Sequence, residues 1–204
     1  MGLWDDQVLP RVIDLALGRP VREARARVAA GLSGEVLEIG FGSGRSLAYL
    51  PADVTRLLAV EPAAVGRRLA AGRVAAAPCP VEFIGDDGQA LPLPDASVDH
   101  VLTAWTLCTI PDVDQALREI HRVLRPGGSL HFTEHGRSSR PAVARWQDRL
   151  TPAWGRIAGG CHLDRRIDEL VAASGLTLES ATTHPMRGTA RLGFAYEGVA
   201  SRPT

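Results

Sequence analysis

The chain has 204 residues, 45% of them apolar and 23% charged, with 21 glycines and 14 prolines, which fits one ordinary folded domain and excludes disordered or collagen-like chains. All 23 basic residues are arginine, matched by 23 acidic ones, and lysine and asparagine do not occur; a Schiff-base lysine, a Walker-type lysine and an N-glycosylation acceptor are therefore excluded. Zero net charge argues against a nucleic-acid footprint, and the scattered Cys79, Cys108 and Cys161 form neither a disulfide framework nor a CxxC clip, so no metal site and a reducing, cytoplasmic setting are expected.

Leu3, Val8, Leu9, Val12, Ile13 and Leu17 recur at helical spacing up to Gly18-Arg19-Pro20, predicting an N-terminal helix. Its Asp5 and Asp6 do not suit a secretory leader, while Leu3, Trp4 and Val8 give it an apolar face able to close over a site as a lid. A second helix spans Val21 to Gly31. From Gly34 onward, short runs rich in β-branched residues and leucine alternate with helical stretches: Val36–Ile39, Leu57–Val60, Val81–Ile84, His100–Thr103 and Ser129–Glu134. These runs are apolar on both faces, as expected of parallel strands covered by helices on each side. The longest apolar stretch, from Val101 to Val113, is far below the roughly 18 to 20 residues of a membrane span.

Between the fourth and fifth runs, Ala116, Leu117, Ile120 and Leu124 form a helical stripe, and Arg125-Pro126-Gly127-Gly128 predicts a turn after it. Further helices are expected within residues 138–160, carrying Trp146 and Trp154, and 163–175, closed by Gly175. The alternating runs LTLESATT and RLGFAYEGVA predict a terminal antiparallel hairpin. The expected fold is doubly wound α/β, a seven-stranded, mostly parallel Rossmann-like sheet with N-terminal helices, in one domain over 1–204.

Chemistry is concentrated where the first strand runs into Gly40, Gly42 and Gly44 and then a helix. Glycines there let the backbone turn sharply and approach a ligand, although such a loop also occurs as a plain connection. Glu61 ends the second strand 17 positions after Gly44, close to the roughly 20-residue interval at which a strand-end carboxylate meets a ribose. Together the two features point to a nucleoside. A dinucleotide fingerprint needs a third glycine, but Arg45 follows Gly44 and none falls in register, which argues against a nicotinamide enzyme.

The segments VLEIGFGSG (36–44), AVEP (59–62), DGQALPLPDASVD (87–99) and EIHRVLRPGG (119–128) resemble the class I S-adenosylmethionine-dependent methyltransferases, over about residues 34–136. The resemblance implies S-adenosyl-L-methionine as cofactor, with its methionine part on the loop of Gly40, Gly42 and Gly44. Glu38 would face the ammonium directly or through water, and Glu61 would accept both ribose hydroxyls. Asp87, with Asp86 as its competitor, would take the adenine amino group and the Gly88 N–H the ring. Thr103 to Thr106, Ala104 among them, would border the transferred methyl.

The segments TLCTI (106–110), FTEH (132–135), WQDRLTPAW (146–154) and GGCHLDR (159–165) resemble the methyltransferase-like thiol S-methyltransferases, which act on small alkyl thiols. That resemblance implies an acceptor-side half at 137–204, with Trp146, Trp154 and Cys161 lining or capping the pocket. Members carry an N-terminal hydrophobic anchor, which a charged amphipathic start does not match. Metal-dependent catechol-type transfer is not expected, because its ligand set includes asparagine. Methyl transfer to a thiol needs alignment more than a strong base, since a thiol is already partly ionised at neutral pH. Candidate catalytic residues are His135, after the fifth strand, with Cys161 and His162; each also has a plain structural reading. The expected partner is a small, rather apolar acceptor, a thiol among them. The alternatives are a lipid amine or quinone precursor, or a non-catalytic cofactor-binding module.

Overall fold

The computed structural model describes residues 4–18, 21–186 and 193–204. Leu3, the Arg19-Pro20 stop and residues 187–192 of the hairpin connection lie outside them. Seven strands form one sheet in the order β3-β2-β1-β4-β5-β7-β6: β1 (Gly34–Ile39), β2 (Val54–Val60), β3 (Val81–Gly85), β4 (Val98–Ala104), β5 (Leu124–His135), β6 (Thr177–Pro185) and β7 (Phe194–Ser201). Neighbours from β3 to β5 run parallel. β7 lies antiparallel between β5 and β6, as the two alternating C-terminal runs predict.

Period-two alternation explains why the central strands read as continuous apolar runs. Leu37 and Leu58 pack on one face with Leu117, Ile120, Ile167 and Val171, from α4 (Val113–Val123) and α6 (Ile167–Ala173). Their neighbours Val36 and Leu57 pack on the other with Val28, Ala29 and Ala70, from α2 (Arg22–Ala29) and α3 (Ala64–Ala75). Helix α4 starts where the Asp112 carboxylate accepts from the Gln115 N–H at 2.9 Å. Full burial of Leu117 and Ile120 contributes about 2 to 3 kcal/mol each.

A chain of hydrogen bonds ties α2 to the sheet. His131 Nδ1 lies 2.8 Å from the Val28 carbonyl and must donate to it, so the neutral ring accepts from Ser129 Oγ at Nε2, 3.0 Å away. Ser129 in turn accepts from His100 Nδ1 at 2.8 Å, and the Ser33 hydroxyl donates to His100 Nε2 at 3.2 Å. Burial holds the His131 pKa down at about 4 and lowers that of His100.

Two local expectations are corrected. The glycine loop leads not into an α-helix but into a five-residue 3-10 turn, Arg45–Tyr49, because Leu50 precedes Pro51 and is forced extended, at φ −66° and ψ 130°. Residues 125–128 are not a turn outside the sheet. They belong to β5, where Leu124 pairs with Val98 and the chain near Arg202 exchanges backbone hydrogen bonds with Gly127 and Gly128, at 2.9 and 2.8 Å.

Candidate active site

The glycine loop leaves the carboxyl end of β1. There the strand order reverses, with β2 on one side and β4 on the other, and open α/β sheets form their ligand crevice at such a point. Gly40, Gly42 and Gly44 all have positive φ, at 75°, 58° and 74°, which side chains adopt only at a cost. A Cβ at Gly40 would also collide with the Thr106 side chain, and one at Gly44 would lie 2.9 Å from Phe41 Cζ. At Gly42 the nearest atom would be 3.9 Å away, so this residue faces open space.

Glu61 closes the loop from β2. Its Oε2 accepts from the Gly42 N–H at 2.6 Å and its Oε1 from the Ala63 N–H at 2.8 Å, and each oxygen keeps lone-pair capacity for a hydroxyl donor. Burial pushes its pKa up, partly offset by those two N–H groups and by Arg67. Glu38 lies deeper, 1% exposed. Ser46 Oγ donates to its Oε1 at 2.7 Å, whereas Oε2 is buried without a hydrogen-bond partner among the described residues. Burial raises the Glu38 pKa to about 7, against the pull of Ser46 and Arg25. An orphaned, acidic, buried oxygen beside an open glycine loop fits the ammonium of an amino-acid moiety, and Glu61 fits a ribose.

Asp86 and Asp87 are exposed in the loop after β3. Asp87 Oδ1 accepts from the backbone and side-chain nitrogens of Gln89, at 2.8 and 2.9 Å. Gly88 beneath them is buried, its Cβ position blocked by Ile39 Cγ2 at 2.6 Å. Ala104 ends β4, and Trp105 then adopts φ 64°, a strain of about 1 kcal/mol or more for a bulky residue. This places Thr106 against Gly40. Glu134, which the sequence reading did not single out, holds that turn: its Oε2 accepts from the Thr106 and Cys108 N–H groups at 2.8 and 3.3 Å. It is fully buried, and burial pushes its pKa to about 7. A glutamate inside the apolar run SLHFTE was the available signal.

The three candidate catalytic residues divide. His135 packs against Trp105, ring centroids 4.8 Å apart, and its Nδ1 lies 3.5 Å from Cys161 Sγ. Cys108 joins them. Its thiol donates to Cys161, so the proton stays on Cys108 and Cys161 is the more acidic of the pair. His162 is attached to the cluster only through its backbone N–H, which donates to the Cys108 carbonyl at 2.8 Å. Its ring turns to Asp164, 3.7 Å away, on a surface cavity of about 490 Å³ also lined by Thr151, Gly155 and Cys161. In α5 (Pro141–Ile157), Trp154 reaches Cys161 by a hydrogen bond. Trp146, by contrast, is 55% exposed with Arg149 over its ring, so it is not a core anchor, and it does not line the cavity with Cys161.

The N-terminal helix α1 (Leu9–Ala16) lies against the glycine loop. Asp14 accepts from Arg45 Nε and Nη2, at 2.7 and 2.9 Å, and from the Ser43 hydroxyl. Burial opposes ionisation of Asp14, but these donors lower its pKa overall. Trp4 Nε1 donates to the Ile157 carbonyl at 3.1 Å, so the N-terminal segment links the glycine loop to the end of α5. Among the described residues no helix is long and apolar enough to cross a membrane.

Residues 37–132 match the family described as a methyltransferase domain. The chain is 34% identical over 149 residues to thiol S-methyltransferase TMT1B of Homo sapiens, covering 66% of this chain and 57% of that protein. It is 33% identical over 153 residues to demethylmenaquinone methyltransferase of Roseiflexus castenholzii, covering 72% and 64% respectively. It thus spans less than two thirds of the length of either curated relative. In fold it is similar to an S-adenosylmethionine-dependent methyltransferase of Methanosarcina mazei, with TM-score 0.66 and 18% identity over 83% of this chain and 92% of that one. Residues 37–132 are a methyltransferase domain.

Proposed function

We propose that the protein transfers a methyl group from S-adenosylmethionine to the sulfur of a small, rather apolar thiol. The observation that carries this reading is the packing of His135, Cys161 and Trp105 beside the turn of Thr106, which abuts Gly40 of the cofactor loop. The similarity to the thiol S-methyltransferase points the same way. When bound, the cofactor supplies a methyl group on a cationic sulfur. Glu38 Oε2 would hold its ammonium, the open face of Gly42 its methionine part, Glu61 its ribose, and the loop of Asp86, Asp87 and Gly88 its adenine. Ala104 and Thr106 would flank the methyl. Displacement at a sulfonium needs collinear approach in a water-poor pocket, and the buried Trp105 supplies an apolar wall. The acceptor's proton would pass to water in the cavity that Cys161 and His162 line.

The similarity to a demethylmenaquinone methyltransferase supports a second reading, carbon methylation of a quinone precursor. Incubating the protein with isotopically labelled methyl donor, a panel of alkyl thiols and a demethylated quinone precursor separates the two. Label is expected in the thioethers. Label confined to the quinone would replace the first reading with the second, and cofactor binding without label in any product would reduce the protein to a binding module.

A further inference from the structure

Cys108, His135 and Cys161 are remote in sequence, yet one ligand atom from each lies within 4.8 Å of the other two. We propose that they form a soft divalent-cation site of zinc type, with two thiolates, one imidazole and an open fourth position that takes the acceptor thiol. The inference rests on the thiol methyltransferase reading and deepens it.

Three observations carry it. The first is geometric. Zinc binds sulfur at about 2.3 Å and imidazole nitrogen at about 2.0 Å, so ligand atoms at a tetrahedral centre lie roughly 3.5 Å apart for a sulfur–nitrogen pair. His135 Nδ1 and Cys161 Sγ are separated by 3.5 Å. The second is charge: two thiolates and a neutral imidazole balance a divalent cation, which suits a pocket where Cys108 and Cys161 are almost fully buried and neither is in a disulfide. The third is prior arrangement of the ligands. Glu134 accepts from the Cys108 N–H, the Cys108 carbonyl accepts from the His162 N–H at 2.8 Å, and Trp105 packs on the His135 ring. Gly159 and Gly160, at φ 61° and 84°, turn the chain sharply just before Cys161. Such outer contacts hold metal ligands in position.

Three protein ligands with a fourth position open is the pattern of catalytic rather than structural zinc. Cys161 also lines the cavity shared with Thr151, Gly155 and His162, which gives an acceptor a way in. On binding, the thiol would lose its proton to water as its sulfur bonds to the metal. That sulfur would then form the new bond to the methyl carbon while the sulfonium carbon–sulfur bond breaks. The released electron pair stays on the cofactor's sulfur, and the neutral thioether leaves the metal.

The test uses the full chain, reduced and stripped with a chelator, titrated with Co²⁺ and then Zn²⁺. One equivalent of Co²⁺ is expected to give tetrahedral ligand-field bands and a thiolate charge-transfer band, both bleached by Zn²⁺ and both lost in Cys108→Ser and Cys161→Ser. S-adenosylhomocysteine binding measured by calorimetry confirms that each variant is folded. Absence of these bands in the reduced protein, or equal uptake by both variants, would overturn the site. So would a Cys108–Cys161 disulfide that yields no metal uptake after reduction. Ethanethiol is expected to shift the charge-transfer band, and an unmoved band overturns the acceptor position. Undiminished thiol turnover by the stripped protein sinks the metal inference and leaves the function standing; Co²⁺ uptake without thiol turnover does the reverse.

Discussion

If Glu38 holds the cofactor's ammonium as proposed, its carboxylate couples cofactor binding to pH. Its burial raises the pKa from 4.5 to about 7, a difference of about 3 kcal/mol in the cost of carrying charge. Between those pH values the ligand-free folded protein holds a proton that the unfolded chain has released. The stability from this group is therefore fully present below 4.5 and is lost as pH rises through 7. A bound ammonium favours the ionised form, so binding below pH 7 must expel the proton. The apparent Kd for S-adenosylhomocysteine should then rise about tenfold per pH unit from 7 downward. Calorimetry in two buffers of different ionisation enthalpy at pH 6 should register release of close to one proton. Glu38→Gln keeps the shape and the Ser46 bond but removes the charge. It should abolish the pH dependence and weaken binding at pH 7.5 by roughly 10- to 100-fold, the contribution of a hydrogen bond to a charged group. It should also make the free protein more stable at that pH. A pH-independent Kd in the native protein, or the same slope in Glu38→Gln, would refute the assigned role.

His131 acts in the opposite sense. Its pKa of about 4 lies below the ordinary 6.5, so the unfolded chain binds the proton first and stability falls as pH drops from 6.5 toward 4, by about 3 kcal/mol in all. Glu38 and Glu134, both raised to about 7, oppose this in the native protein, so the stability difference between the native protein and His131→Gln in urea should fall as pH drops from 6.5 to 4, and a difference constant across that window would contradict it. Gly40→Ala, with both positive φ and a collision at Thr106, should cost about 3 kcal/mol of stability by chemical denaturation; Gly42→Ala, strained but uncrowded, about 1 kcal/mol. Equal losses would argue against the distinction. Deleting residues 1–18, which removes the Asp14–Arg45 contact, should raise the acceptor's KM and speed cofactor release in stopped flow. Unchanged values would remove the lid role from the N-terminal helix.

Much of residues 34–136 was legible because its signals are local. Apolar runs such as LLAV mark strands covered on both faces. The Gly40, Gly42 and Gly44 loop announces backbone that must turn and stay bare, and Glu61 follows at a telling interval. The errors were also local, and each came from a competitor beyond the motif: Pro51 tightened the expected helix into a 3-10 turn, and the C-terminal strand recruited Arg125–Gly128 into β5.

The cluster of Cys108, His135 and Cys161 resisted because its signals are not periodic. Cys108, His135 and Cys161 have no mutual spacing to recognise, and Glu134 reads as one polar residue in an apolar strand. The amino-acid order by itself determined which segments are strands and helices, where the backbone must be glycine and which carboxylates end strands. Those properties depend on each residue's own backbone freedom and on alternation along one element. Only the tertiary structure decided that β4 and β5 lie side by side, bringing the turn after one against the end of the other, and that the segment after α5 closes on both. Contacts between distant residues depend on strand order and on the way back taken by the chain, which periodicity does not encode.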